Sequence, residues 1–348
     1  MVLQTYEQKP LTTVYRKPPI KADDVGSRSV LFFIPGNPGL VEFYITYLNL
    51  IQEQYPHLEV FGVGHAGYQT TGGIMDYNTG NHQFYDLNYQ IDHKYEIIKK
   101  YILDNYDEDE DNKVQIYFLA HSLGSYVLQR VTKRLLDCQI LHNKFQIKFT
   151  GLICPTIMDI GKSDNGIKFK KLFAYLPFVT ILLWLAKFLN LFLTNNSIKR
   201  IIKNKYIKKE YTPIKGRDSK QDEHIQDSID NSVNGIYNIV KSDRIIKQTL
   251  NLAQQELQSI NQEQDMNDWY FSNMTNVWSF FAVYDYWISD QTRDHLIKKY
   301  HNLDKNIRFE LGNEKDAITH SFCVHQSVEF AEITVARLQD FFPSGLGQ

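Results

Sequence analysis

Val114-Gln115-Ile116-Tyr117-Phe118-Leu119-Ala120-His121-Ser122-Leu123-Gly124 sets an apolar run, a small residue, a His-Ser pair and a glycine in succession. The run reads as a buried strand. Beyond it, Tyr126, Val127, Val131 and Leu135 are spaced for one face of a helix. A serine at a tight strand-to-helix reversal is the setting of a nucleophile elbow, which forces strained backbone on the serine and lifts its hydroxyl above the sheet edge. Only small residues fit beside such a turn, and Ala120 and Gly124 flank it here. A plain N-cap serine accounts for the turn, but not for the coincidence of strand, small residue, His-Ser-x-Gly and apolar helix.

Working outward, Val30-Leu31-Phe32-Phe33-Ile34 is a second buried strand, ending in the turn-forming Pro35-Gly36-Asn37-Pro38-Gly39. A helical face follows at Phe43, Tyr44, Tyr47, Leu48 and Ile51, then a strand at 58–63 and a helix at 83–101. The acidic stretch 107–111 reads as a solvated turn. Strands are expected again at 148–155, 277–283 and 307–311, with a closing helix at 327–342. Strands alternating with helices predict a mostly parallel sheet with helices on both faces, the α/β-hydrolase fold once the elbow is added. The expected organisation is an irregular N-terminal segment, 1–29, a first core part, 30–155, a long helical cap, 156–276, and a second core part, 277–348.

A serine hydroxyl needs a base to take its proton, and the base is best held by a carboxylate. In α/β-hydrolases these follow in the order serine, acid, histidine. His320 lies in a loop after the 307–311 strand, while His325 falls within the start of the closing helix. For the acid, Asp285 follows the 277–283 strand, with Asp290, Asp294 and Asp316 as alternatives. The oxyanion hole needs two N–H donors. Leu123, directly after the nucleophile, supplies one. The other comes from the Gly/Pro turn, where proline has no N–H; Asn37 is the first choice, ahead of Gly36 and Gly39.

The chain has 348 residues, 43% hydrophobic and 22% charged, which argues against wholesale disorder and against a multi-span membrane protein. A net charge of −2 gives no field for nucleic acid. Three dispersed cysteines, Cys138, Cys154 and Cys323, form neither a disulfide framework nor a zinc pattern. The first ten residues lack an apolar core, so no secretory signal is expected there. The proposed chemistry calls for neither a metal ion nor an organic cofactor.

Residues 172–193 are apolar except for Thr180, Lys187 and Asn190, and a basic run, 199–209, follows. Twenty-two residues suffice to cross a bilayer as one helix. Pro177 and Lys187 oppose that, and a crossing would part Ser122 from Asp285 and His320. The expected arrangement is monotopic: Phe173, Phe178, Leu182, Trp184, Leu185, Phe188, Leu191 and Phe192 enter a lipid surface while Lys187 snorkels. A cap helix lining an acyl pocket is the other reading.

Taken together, Ile34-Pro35-Gly36-Asn37-Pro38-Gly39 with Glu42-Phe43-Tyr44, His65-Ala66-Gly67, Gln90-Ile91 with His93-Lys94, His121-Ser122-Leu123-Gly124, Pro155-Thr156-Ile157, Asp285-Tyr286-Trp287 and His320-Ser321-Phe322 resemble the lipid droplet-associated hydrolase family. The resemblance implies an α/β-hydrolase with Ser122 as nucleophile, Asp285 as acid and His320 as base. It also implies a lipid ester substrate, of the neutral-lipid or sterol-ester class, and a place on the cytosolic face of lipid droplets or the endoplasmic reticulum. The expected activity is serine ester hydrolysis through an acyl-enzyme. Acyl transfer or thioester cleavage on the same scaffold, and a weakly active protein that binds or organises a lipid surface, are the alternatives.

Overall fold

A computed structural model describes residues 2–6, 12–21, 28–70, 84–106, 113–207, 219–314, 317–343 and 346. The acidic stretch 107–111, the alternative acid Asp316 and the last two lysines of the basic run lie outside the described residues.

Among the described residues, eight strands form one sheet: β1 (Val2–Tyr6), β2 (Thr12–Lys17), β3 (Ser29–Ile34), β4 (Glu59–Val63), β5 (Val114–His121), β6 (Phe145–Ile153), β7 (Val277–Phe281) and β8 (Ile307–Leu311). Their order is β1-β2-β4-β3-β5-β6-β7-β8. From β4 to β8 all neighbours run parallel, with Phe32 opposite Phe118 and Ala120 opposite Leu152. β3 is buried along its whole length, as a strand covered on both faces requires.

The sheet is mixed, however, because β1 and β2 pair antiparallel with each other and β2 pairs antiparallel with β4. An irregular segment is predicted there, since Thr12-Thr13-Val14-Tyr15 is too polar to read as an apolar run. Threonine, valine and tyrosine nonetheless suit a pleated surface, and all four are buried against the β4 edge.

The connections decide where a site can form. The chain leaves β3 through α1 (Ile45–Gln54) to β4 on one side, then returns through α2 (Leu87–Asn105) to β5 on the other. From β5 it continues outward through α3 (Leu123–Asp137) to β6. Right-handed crossovers put α1 on one face and α2 and α3 on the opposite one. α1 packs against the final helix, α12 (Ser327–Phe341), and α2 against α3. The order therefore reverses between β3 and β5, and ligands of open α/β sheets bind at the carboxyl ends of strands at such a point. Pro35-Gly36-Asn37 and Ser122 occupy those two strand ends.

Between β6 and β7 the described residues form six α-helices: α4 (Asp164–Tyr175), α5 (Phe178–Phe192), α6 (Asn195–Ile201), α7 (Ser219–Lys241), α8 (Asp243–Ser259) and α9 (Gln264–Asn273). The apolar stretch 172–193 is not one helix. It breaks at Leu176-Pro177, and α4 and α5 meet at 89°. Among the described residues no single helix is long and apolar enough to cross a membrane, although the bent pair meets that test jointly by length and composition. α10 (Asp290–Tyr300), β8 and the short α11 (Phe322–His325) lead to α12, so His325 is helical but ends α11 instead of starting the closing helix.

Candidate active site

The elbow forms for steric reasons that can be named. Ser122 has φ 51° and ψ −122°, a left-side conformation rare for a residue with a side chain. Its N–H is held by the Ile153 carbonyl at 2.9 Å, and its carbonyl accepts the Ser125 N–H at 2.9 Å. A Cβ at position 124 would lie 2.3 Å from the Ile34 carbonyl oxygen, so only glycine lets α3 start this close to β3. A Cβ on Gly36 would lie 2.9 Å from the Ser122 Cβ, which closes the same space from the other loop.

Three side chains distant in sequence meet above this edge. Ser122 Oγ is 2.9 Å from His320 Nε2. On the far side of the ring, His320 Nδ1 lies 2.9 and 2.8 Å from the two oxygens of Asp285. A carboxylate can only accept, so the ring proton sits on Nδ1 and Nε2 is free to receive the serine proton. Asp285 is fixed in turn by the N–H groups of Trp287 and Ile288, at 2.8 and 3.1 Å, which bend the chain back over its side chain. Asp290 and Asp294 instead pair with Arg293 on the surface.

His121 carries a second network, which the sequence offered no means of reading. Its Nε2–H donates to the His320 carbonyl oxygen at 2.8 Å, which leaves Nδ1 as the acceptor for the Tyr44 hydroxyl at 2.7 Å. Tyr44 in turn accepts the Gly36 N–H at 3.3 Å. Burial, with His320 alongside, holds the His121 imidazole well below the usual range, and burial pushes the Tyr44 phenol well above its own. Both stay neutral, as the hydrogen-bond directions demand. The Gly36 N–H is thereby committed to Tyr44, and no described group accepts that of Asn37. Leu123 is the first residue of α3, and its N–H has no intrahelical partner.

The remaining motif residues brace the loop after β4, which packs through His65 on the β3–α1 loop. Lys94 Nζ donates to the Gly64 carbonyl at 2.7 Å and meets His93 Nδ1 at 3.0 Å. Gln90 exchanges two hydrogen bonds with the backbone of Ala66. The His65 N–H holds the Gly39 carbonyl at 2.9 Å, and the His65 ring fills the place a Cβ of Gly39 would take.

Over the serine lies a cavity of about 280 Å³, lined mainly by apolar side chains that include Phe43, Phe169, Leu250 and Trp287. The Phe169 and Trp287 rings are 5.3 Å apart, and Trp287 stands 6.5 Å from His320. Thr249, Leu250, Ala253 and Glu256 also line it, at helical spacing along α8. These come from the polar stretch whose sequence carries no motif. Among the described residues, Cys154, Asp285 and His320 place their ligand atoms within 4.8 Å of one another. The aspartate and histidine lone pairs are already engaged by each other and by Ser122, and burial, with Asp285 next in effect, pushes the Cys154 thiol well above its usual range.

The eight apolar residues expected at a lipid surface divide into two faces. Phe173, Phe178 and Leu182 turn inward, onto a cluster formed by Ala186 of α5 with Ile246 and Leu250 of α8. Trp184, Leu185, Phe188, Leu191 and Phe192 are exposed, Trp184 at 70% and Leu191 at 78%. The 100° helical step explains the division: residues 182 and 186 share one side of α5, while 184, 188 and 191 share the other. Lys187 is exposed and pairs with Asp243 at 3.3 Å, and Asn190 donates to the Val240 carbonyl at 2.9 Å. Lys203 is paired with Asp230 at 2.9 Å, so the basic run is partly neutralised by α7.

A mostly parallel sheet that turns into α3 at a serine, with helices on both faces, is that of an α/β-hydrolase. A peroxisomal alpha-beta-hydrolase from Saccharomyces cerevisiae has this fold too, with a TM-score of 0.58 over 99% of this chain and 87% of its own, at 13% identity. A model described as lipid-droplet associated hydrolase matches residues 27–323, and the chain belongs to that family. Proteins named lipid droplet-associated hydrolase from Drosophila melanogaster and Gallus gallus are similar at 26% identity over 153 residues and 31% over 148. Those matches cover 43% and 40% of this chain, and 45% and 40% of the relatives, so the chain spans less than half of either.

Proposed function

We propose that this hydrolase cleaves carboxylic esters of lipids through a serine acyl-enzyme while seated on a lipid-droplet surface. The observation that carries the reading is the continuous hydrogen-bonded chain from Ser122 through His320 to Asp285, opening into an apolar cavity. As the Ser122 oxygen attacks the acyl carbon, its proton passes to His320 Nε2. The resulting imidazolium is stabilised by Asp285, which also fixes the tautomer. The carbonyl oxygen becomes an oxyanion and takes hydrogen bonds from the Leu123 and Asn37 N–H groups. The leaving alkoxide departs with the proton from His320. Water, deprotonated by the same nitrogen, then attacks the acyl-enzyme and releases the acid, returning the proton to Ser122.

A cavity of about 280 Å³ is just below the roughly 300–1,000 Å³ typical of ligand sites. It suits one limb of a lipid ester rather than a whole triacylglycerol, so the rest of the substrate stays in the lipid phase. The exposed side of α5 supports that arrangement, since each large apolar side chain moved from water into lipid contributes about 1.5–3 kcal/mol. A lipid surface also fits the names of the relatives.

A fluorophosphonate probe tests the chemistry. It should label the wild-type chain at Ser122 and leave the Ser122→Ala variant unlabelled, while wild type alone releases fatty acid from emulsified lipid esters. A folded protein that never labels and releases nothing would overturn the reading and leave a lipid-surface binding protein in its place.

A further inference from the structure

Glu256 is an anomaly in an apolar cavity. It lies on α8, lines the space above Ser122 and is only 5% exposed. Among the described residues no lysine, arginine or histidine is bonded to it; its described partner is the Asn37 side chain, whose Nδ2 donates to Oε1 at 2.9 Å. The direction of that bond is fixed by the other contacts of Asn37. Nδ2 also donates to the Thr249 carbonyl at 3.0 Å, while Asn37 Oδ1 accepts from the Tyr68 hydroxyl at 2.9 Å. The amide cannot be turned round without setting acceptor against acceptor. Oε1 of Glu256 is therefore an acceptor, and any proton on the carboxyl belongs on Oε2.

Burial without a cation raises the Glu256 carboxyl to about 8, against a smaller opposing effect of the Asn37 hydrogen bond. At neutral pH the group is mainly the acid. It then has one O–H donor, on an oxygen with no protein partner among the described residues, in a cavity otherwise lined mainly by hydrocarbon. An oxygen acceptor brought into the cavity would satisfy that donor.

We propose that Glu256 is a specificity-determining residue that offers its carboxylic O–H to an oxygen carried on the hydrocarbon limb of the substrate, so that the preferred ester is oxygen-substituted rather than a plain chain. The acceptor is a hydroxyl, ether or keto oxygen, whose shared chemistry is a lone pair in an apolar setting. A site built to hydrogen-bond such a group discriminates strongly against the analogue lacking it. The inference rests on the reading of the Ser122 cavity as the ester site.

The test uses p-nitrophenyl octanoate beside a series of chain-length-matched esters with one methylene replaced by an ether or keto oxygen at successive positions. A second series carries the oxygen on the alcohol limb. In the wild-type protein, at least one position should raise kcat/KM about tenfold or more over the plain ester. Glu256→Leu should reduce that preference to less than twofold, and Glu256→Gln should restore it, because the glutamine can accept from Asn37 and donate its Nε2–H into the cavity. Binding of the matching unreactive ethers and alkanes to Ser122→Ala gives a second readout that needs no turnover. If no ester is cleaved but the oxygenated ligands bind preferentially, and Glu256→Leu in the Ser122→Ala background abolishes the preference, the esterase reading fails and the role of Glu256 stands. No preferred position in either readout, or a preference that survives Glu256→Leu, overturns it.

Discussion

His121 donates its Nε2–H to the main-chain carbonyl of His320 at 2.8 Å, so the residue before the nucleophile holds the backbone of the proposed base. The segment that carries His320 is thereby tied to the end of β5, beside its ties to Asp285 and Gln326.

Tyr44→Phe should expose this tie. The change keeps the ring but removes both the donor to His121 Nδ1 and the acceptor for the Gly36 N–H. Kinetics on a soluble ester should show kcat down about tenfold with KM little changed, since a small misplacement of the reacting groups acts on the chemical step. Urea unfolding should show a loss of about 1–3 kcal/mol from the unpaired buried groups. An unchanged kcat would limit the network to stability.

Asp285→Asn preserves shape but lets the amide donate to His320 Nδ1, which favours the tautomer with its proton on Nε2, facing Ser122. Turnover should fall on the order of 10⁴-fold, with fluorophosphonate labelling slowed in parallel and the melting temperature nearly unchanged.

Glu256 gives the stability a pH dependence of known sign. Its carboxyl titrates at about 8 in the fold against an ordinary 4.5, so the fold binds the proton more tightly than the unfolded chain does. That contribution is complete below pH 4.5 and is lost as pH rises toward 8, at about 1.4 kcal/mol per pH unit within the window. Tyr68, the nearby titratable group, is pushed far above this range by burial and stays neutral throughout. Urea midpoints at pH 5 and pH 8 should therefore fall more steeply with pH for wild type than for Glu256→Gln. Parallel slopes would mean the carboxyl is not held as the acid.

The two sides of α5 should respond differently. Trp184→Ser with Leu191→Ser should weaken partition onto phospholipid-coated triolein droplets, leaving soluble-ester turnover and unfolding unchanged, because both side chains are exposed. Leu182→Ala, on the inward side, should cost about 1–3 kcal/mol of stability. Droplet flotation and urea unfolding read the two effects separately.

The sheet, the elbow and the groups that meet on it were legible because each announces itself in a short stretch: an apolar run, a His-Ser-x-Gly turn, an acid and a histidine just beyond strand ends. Asp285 and His320, 163 and 198 positions beyond Ser122, could be placed because parallel strands deliver their carboxyl ends to one edge. What escaped has no local signature. β1 and β2 owe their pairing to an edge supplied by β4, and the bend at Leu176-Pro177 settles a direction that hydropathy does not encode. The inward side of α5 is chosen by its neighbour α8. Glu256 sits in a Gln-rich helix whose residue types suggest only solvent, and its meaning arises from Asn37, 219 residues away.

Ile246 and Leu250 of α8 form the seat on which α5 rests, while Thr249 and Glu256, within three turns of the same helix, grip Asn37. One rigid rod thus joins the greasy ridge to the amide that would receive the oxyanion. On the proposed lipid surface, a monolayer pressing on that ridge would bear on α8 and through it on Asn37, so an assay in clear buffer and one on an emulsion would interrogate the same side chains under different mechanical load.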